Sequence, residues 1–453
     1  MNIFKQLFHR KEAKQPDFNE FLNIMNSFLG GGASIPKYDG VKKLMDVGYL
    51  RNGTVYSIVN KAIAPNIGVN WQILEVKNPA KAKAYRGMQQ KHANIDKALT
   101  LKEQAFEEIE NPYLNAILKR PNNGQNWVDF ETELSLYFLM TGNAYLYKGV
   151  RKSDKNNPPI ELYSMPAHLT TIVGGGRAFE RVRGYEIDQR SGFKSELPAK
   201  DVGHLKTFNP DFSVVGGELY GMPPLRPFWD IIMQDNEAVQ AMYKAFLNMG
   251  AYGVLSGASA ENEWTEEQAL ALKKKWEKAK GSGSYKDLIF AANPVQWTQI
   301  GISPVDLAIN TARTHNIKQL CNAYGVPAQL MNDAESSTFA NVKEARKSLI
   351  VDAALPLKEK LKGFFQNELV DEWGKYLGKN LVIDYDLNAY TELSDDLEAL
   401  FNRAKTADWL TTNEKREATG FEPSDEPIAN ELLMQPHLVP ASMLGMLNIN
   451  DNE

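Results

Sequence analysis

The stretch GMPPLRPFWDIIMQDNEAVQAMYKAFLNMG, residues 221–250, decides the fold of this chain. Leu225, Phe228, Ile231, Ile232, Val239, Met242, Phe246 and Met249 recur at helical spacing, which predicts a rod of about 25 residues and ~37 Å. Such a rod cannot bury its own apolar stripe and needs partners. One follows in SPVDLAINTARTHNIKQLCNAYG, residues 303–325: Ser303 suits the N-cap, Pro304 the first helical position, and Asp306 complements the helix dipole. Between the two rods, residues 251–302 read as a small compact unit. It has a strand near 252–255, a helix opened by a Thr265/Gln268 capping box and closed by Gly281, and strands at 286–291 and 295–300.

Beyond the second rod, AYGVPAQLMNDAESSTFANVKEA (residues 323–345) forbids a continuous helix. Gly325 suits the left-handed position past a helix end, and Pro327 can neither donate a hydrogen bond nor tolerate the preceding turn. A polar loop follows, and a new helix runs from Val342 to Leu369 with a bend expected at Pro356.

Upstream, Gly30–Gly32 separates a basic, amphipathic arm from the body, which starts near Asn52. The arm lacks the long apolar centre and cleavage site of a secretory signal, and no apolar run reaches membrane-spanning length. Val55, Ile58, Val59, Ala62 and Ile63 share one helical face, and a strand follows at 71–76. Residues 78–106, rich in Lys and Ala, read as a solvated insertion or a long exposed helix. A helix from Trp127 ends at Gly142-Asn143 and passes into a strand at 144–150, with further strands at 160–164, 169–173, 183–188 and 201–207. Downstream come a strand in LVIDYDLNAY (residues 381–390) and a short helix boxed by Thr411 and Glu414. The class is α+β.

Composition constrains function. The formal charge of −5 argues against a protein that coats nucleic acid through a uniformly basic surface. The charge is unevenly placed: from Thr391 onward 13 acidic residues face 4 basic ones, a net of −9, which leaves about +4 on residues 1–390. The single cysteine, Cys321, falls in an apolar helical pattern and is expected to be buried. Six histidines are scattered singly, with no zinc-like spacing, and no phosphate-cradling or nucleophile-elbow motif occurs. Gly174–Gly176 reads as a turn rather than a dinucleotide loop. Asp384 and Asp386, alternate residues of one strand, are the nearest thing to a nuclease carboxylate pair; a structural acceptor is the plainer reading. No metal, cofactor or enzymatic activity is expected.

Six segments then occur in a telling order: NPYLNAILKRPNN…GNAYLY, MPAHLTTIV, DVGHLKTF, LYGMPPLRPFWDII…AFLNMGAYGVLS, YGVPAQLM and LTTNEKREATGFEP. In this order the chain resembles the portal proteins of tailed bacteriophages over most of residues 50–430. The resemblance implies the portal fold: residues 1–50 a flexible N-terminal arm, 51–222 the wing, 223–250 the first stem helix, 251–302 the clip, 303–325 the second stem helix, 326–390 the tunnel loop, long helix and return to the wing, and 391–453 a helical crown with its acidic tail. It implies a ring, typically of twelve subunits, at one capsid vertex of the virion, assembled in the host cytoplasm. Double-stranded DNA would pass through without sequence-specific contact. The other partners would be the terminase packaging motor, the major capsid and scaffold proteins and a head–tail adaptor, with no membrane involved. The tunnel loop would present Asn332, Ser336, Ser337, Thr338 and Asn341. Lys343 and Arg346 would face DNA, a neighbour's carboxylate or solvent. Lys273, Lys274, Lys275 and Lys278 would form a docking surface on the clip, or simply complement a helix dipole. Another head–tail connector or a metal-dependent nuclease are the alternatives.

Overall fold

The computed structural model describes residues 35, 40–89, 95–150, 157–177, 180–188, 194–212, 216–247, 253–257, 265–279, 295–299, 308–331, 339–393 and most of 404–431. A short helical segment, Gly40–Tyr49, precedes α1 (Gly53–Ile63). Then come β1 (Trp71–Val76), α2 (Pro79–Gln89), α3 (Ile95–Ala105), β2 (Phe106–Glu108), α4 (Pro112–Lys119) and α5 (Trp127–Thr141). Six strands follow: β3 (Asn143–Gly149), β4 (Glu161–Met165), β5 (Thr170–Arg177), β6 (Glu180–Asp188), β7 (Lys194–Pro198) and β8 (Val202–Lys206). The next elements are α6 (Trp229–Leu247), β9 (Gly253–Gly257), α7 (Glu266–Ala279), β10 (Val295–Gln299) and α8 (Ile309–Asn322). The chain continues through α9 (Phe339–Leu349), α10 (Leu355–Phe365), α11 (Asp371–Leu377), β11 (Leu381–Tyr385) and α12 (Thr412–Ala418).

Two compact units result, one of residues 1–68 and 111–372, the other of 69–110 and 373–453. The first holds two small antiparallel sheets, β4-β3-β8 and β5-β6-β7, and the β9–β10 pair. Three of its helices, α1, α4 and α5, start where an Asn side chain satisfies free amides of the first turn. Asn52 accepts from the Val55 amide at 2.8 Å and Asn126 from the Asp129 amide at 2.8 Å. α5 stops at Gly142, whose φ of +71° is the left-handed cap predicted at Gly142-Asn143. Phe130 and Leu134 of α5 and Phe365 of α10 are fully buried, each stabilising by ~1.5–3 kcal/mol. Lys358 is buried among them. Its Nζ donates to Glu131 Oε1 at 2.7 Å, and burial pushes its pKa down against the pull of that carboxylate.

The second unit is built on the sheet β11-β1-β2. Within residues 78–106, read above as a solvated insertion or a long exposed helix, the described α2 and α3 instead pack on it as a helix pair, with Ala82, Tyr85, Ala105 and Phe106 buried against Leu74. The anchors are small or single, so periodicity alone does not reveal them.

Other expectations also shift. Residues within the span drawn as a flexible arm are folded: Ile35, Val41, Leu44 and Met45 are buried. The first rod begins at Trp229, because Pro227 holds Arg226–Phe228 in a 3-10 turn; residues 248–250 lie outside the described residues. The second rod begins at Ile309, because Ala308 has φ +47° and interrupts any helix coming from Pro304; Ser303, Pro304 and Asp306 lie outside the described residues. Gly174–Gly176 is not a turn: it lies in β5, where register shifts between Val173 and Arg177 mark a bulge. The strand expected at 286–291 also falls outside the described residues. Among the described residues no helix is long and apolar enough to cross a membrane.

Candidate functional site

Two polar knots hold the two rods in the first unit. At the first, Asp235 of α6 is buried, 1% exposed, and receives three side-chain donors. Asn52 Nδ2 and Thr54 Oγ1 each donate to Oδ2 at 3.0 Å, and Arg313 Nε of α8 donates to Oδ1 at 3.0 Å. Asn52 also donates to Asn236 Oδ1 at 3.0 Å while capping α1. The outgoing and returning rods are thereby fixed to each other and to α1. A buried carboxylate is tolerated only when it is paired and hydrogen-bonded in this way.

The second knot stands where the chain enters α6. Asn143 Oδ1 accepts from the Gly221 amide at 2.6 Å and lies 3.0 Å from His204 Nε2, and Asn143 Nδ2 donates to Gly221 O at 3.2 Å. Thr207 Oγ1 donates to Met222 O at 2.7 Å, and the Thr207 amide to Gly142 O at 2.9 Å. The His204 ring stacks on Tyr145 with centroids 4.4 Å apart. Burial, helped by nearby Lys206, pushes its pKa down to about 3. Three of the motifs that carried the resemblance, GNAYLY, DVGHLKTF and LYGMPP, thus meet in one place. The neighbouring Tyr220 hydroxyl donates to Ile35 O at 2.8 Å and accepts from the Ile172 amide at 2.7 Å, pinning residue 35 to the sheet.

Between the rods in sequence, β9 and β10 pair as an antiparallel ribbon, Gly257 opposite Val295 through Gly253 opposite Gln299. The Thr265/Gln268 box opens α7, with the Thr265 amide donating to Gln268 Oε1 at 3.2 Å. Lys273 and Lys274 of α7 are exposed; Lys275 and Lys278 belong to the same helix, and their side chains lie outside the described residues. Of the loop residues, Asn332, Ser336, Ser337 and Thr338 lie outside the described residues. Asn341, Lys343, Arg346 and Lys347 are exposed on α9, while Ala345 and Leu349 turn inward. Lys343 stands three and four residues before Arg346 and Lys347, so the three cations share one face. α9 thus carries one exposed basic face. The two buried knots escaped the sequence reading, because Asp235 and Arg313, or Asn143 and Gly221, meet only through the tertiary fold.

Asp384 is buried in the second unit. The Tyr85 hydroxyl donates to its Oδ2 at 2.6 Å, and Lys102 Nζ lies 3.8 Å away. It serves as an internal acceptor, and Asp386 lies past the end of β11. Among the described residues no group of three His, Cys, Asp or Glu side chains is placed to hold a metal ion. Cys321 is buried, as expected, and burial pushes its thiol up to about 11.

Polar knots that brace paired helices, with a ribbon between the rods in sequence and cations on an exposed helix, define a scaffold that presents surfaces. The chain belongs to the phage portal protein family, whose model matches residues 93–420, and its role is that of a portal or head–tail connector. The portal protein of Enterobacteria phage HK97 is 21% identical over 346 residues, covering 75% of this chain and 76% of that protein. An uncharacterized protein of Rickettsia bellii is 27% identical over 333 residues, covering 71% of this chain and 81% of that one. The fold is shared with a subunit in the neck of a native GTA particle computed with C12 symmetry, at a TM-score of 0.58 and 21% identity, over 89% of this chain and 99% of the other.

Proposed function

We propose that the chain assembles as a ring of identical subunits, twelve being the expected number, around a channel for double-stranded DNA at one capsid vertex. The wing, stem, clip and crown are read onto the residue ranges given above: α6 and α8 are the stem, and 251–302 the clip. The observation that carries the reading is the Asp235–Arg313 pair, which fixes the outgoing rod to the returning one, with the β9–β10 ribbon between them in sequence. A stalk of this kind keeps apolar side chains in water: Val239 and Tyr243 of α6 are 41% and 58% exposed. Identical neighbours packed head to tail would cover them and close a ring.

The segment between Met331 and Phe339 is the proposed tunnel loop, and Asn341, expected in that loop, instead stands in the first turn of α9. The loop's Asn332, Ser336, Ser337 and Thr338 are short and polar, which suits a surface past which a duplex slides. Firm phosphate contacts repeated around a ring would add salt-sensitive affinity and act as a brake. Lys343 and Arg346 stand just beyond, close enough in sequence to meet DNA that has passed the loop. The α7 lysines 273, 274, 275 and 278 serve as a docking surface for the packaging motor or the head–tail adaptor, with the capsid and scaffold proteins contacting other faces. The protein works in the virion after assembly in the host cytoplasm, as a conduit and attachment point without a catalytic step. The test is Lys343→Glu with Arg346→Glu, reading ring formation and packaged genome length together. Intact rings with shortened or absent genomes are expected. Intact rings with unchanged packaging would remove the DNA-facing role.

A further inference from the structure

The helical run from Phe339 to Leu377 contains two widened π turns, Ile350–Ala354 and Gln366–Val370. Each is an α-helix that has taken in one extra residue, and such turns are costly enough to need local support. The two are supported differently. The second is held by charge: Lys148 of β3 reaches Glu368 at 3.0 Å and Glu372 at 2.8 Å. Burial pushes the Lys148 ammonium pKa down, but the two carboxylates outweigh it and the net shift is upward. The first is held by hydrogen bonds, among them the Ser348 hydroxyl donating to Asp352 Oδ2 at 2.6 Å. Asn66 Nδ2, itself buried, donates to the Ala354 carbonyl at 3.0 Å. Pro356 has no amide with which to close an α turn onto the Asp352 carbonyl. That carbonyl lies against Gly325, where a Cβ would come within 2.9 Å of it. Gly325 has φ +66° and ends the returning rod α8.

We propose that the turn at 350–354 is a hinge, in which the extra residue moves along the helix and re-aims α9 relative to α10. An extra residue in a helix corresponds to a rotation of roughly 100° about its axis, since a turn holds 3.6 residues. Moving it past part of the helix turns that part's exposed face, which on α9 carries Asn341, Lys343, Arg346 and Lys347. Asn66 holds one register through the Ala354 carbonyl, and Gly325, which has no Cβ, lets the Asp352 carbonyl shift against it without a side-chain clash. The charged clamp on Glu368 and Glu372 keeps the second π turn fixed, so the motion stops before α11. The inference concerns the fold of a single chain and stands whether or not α9 faces DNA.

Amide hydrogen exchange on the full chain tests it. Amides of residues 351–355 are expected to exchange at least about tenfold faster than those of 358–365, although Ala353, Ala354 and Leu355 are as buried as the core of α10. Asn66→Ala is expected to raise exchange at 350–355 by a further about tenfold and leave 358–365 unchanged. Equal protection across 351–365 in the unsubstituted protein would overturn the hinge. So would an Asn66→Ala protein in which exchange rises by the same factor throughout residues 339–372, since Asn66 would then be an ordinary core contact.

Discussion

Arg313 Nε donates to Asp235 Oδ1 at 3.0 Å, joining residues that lie 78 positions apart and on opposite rods. Asp235 is the acceptor that three donors share, so its loss strands Arg313, Asn52 and Thr54 together. Asp235→Ala is expected to cost ~3 kcal/mol or more, the range for breaking a buried charged network. Arg313→Met leaves the buried Asp235 carboxylate with two neutral donors and without this counter-charge, and should likewise cost ~3 kcal/mol or more. Urea unfolding of the two variants checks both values; a loss under about 1 kcal/mol for either would contradict the braced pair.

Gly142 tests the second knot. A Cβ there would stand 2.3 Å from Met222 O, and the residue has φ +71°. Gly142→Ala should destabilise by ~3 kcal/mol or more, combining the left-handed penalty with a backbone clash. Gly363, in the exposed interior of α10, has nothing within 4 Å of a built Cβ. Gly363→Ala should stabilise by ~0.5–1 kcal/mol. Thermal melts that rank the two alanine variants the other way would break the argument.

His204 gives a pH signature. Its folded pKa of about 3 lies below the ordinary value of 6.5, so the unfolded chain binds this proton first as pH falls. Its contribution is complete above pH 6.5 and is lost between pH 6.5 and about 3. The slope is at most about 1 kcal/mol per pH unit, reduced by the ring's residual exposure. His204→Asn should flatten that part of the stability curve. Curves that stay parallel from pH 7 to pH 4 would show that the ring does not stay neutral.

Tyr85→Phe probes the α2–α3 pair. Asp384 would keep Lys102 nearby but lose the 2.6 Å hydroxyl donor, a cost of ~1–2 kcal/mol for a buried carboxylate. An unchanged unfolding midpoint would mean that the helix pair is not seated on β11.

What the sequence made visible is what short-range chemistry determines. The end of α5 at Gly142, the boxes at Thr265/Gln268 and Thr411/Glu414 and the strand at 71–76 each depend on residues within one or two turns, and each appears where it was read. The Thr411 amide, for instance, donates to Glu414 Oε2 at 2.8 Å. The α2–α3 pair was misread because its buried side is two alanines and two rings, too sparse to show a period. The break at Ala308 has no local cause in its side chain, and the short strands β2 and β7 carry too few residues for alternation to register. Of the expected site, the cations of α9 and α7 were legible as charge on helices. The knots at Asp235 and Asn143 were not, since Asn and Asp in a sequence look alike whether they face solvent or bind a distant partner.

The central claim is that two braced rods with a ribbon between them in sequence stand in a closed ring of identical chains. Electron microscopy of the purified protein tests it most directly. The account predicts axial views with a central opening and, on averaging, a rotational symmetry close to twelvefold. A uniform population of compact single chains at high protein concentration would contradict it.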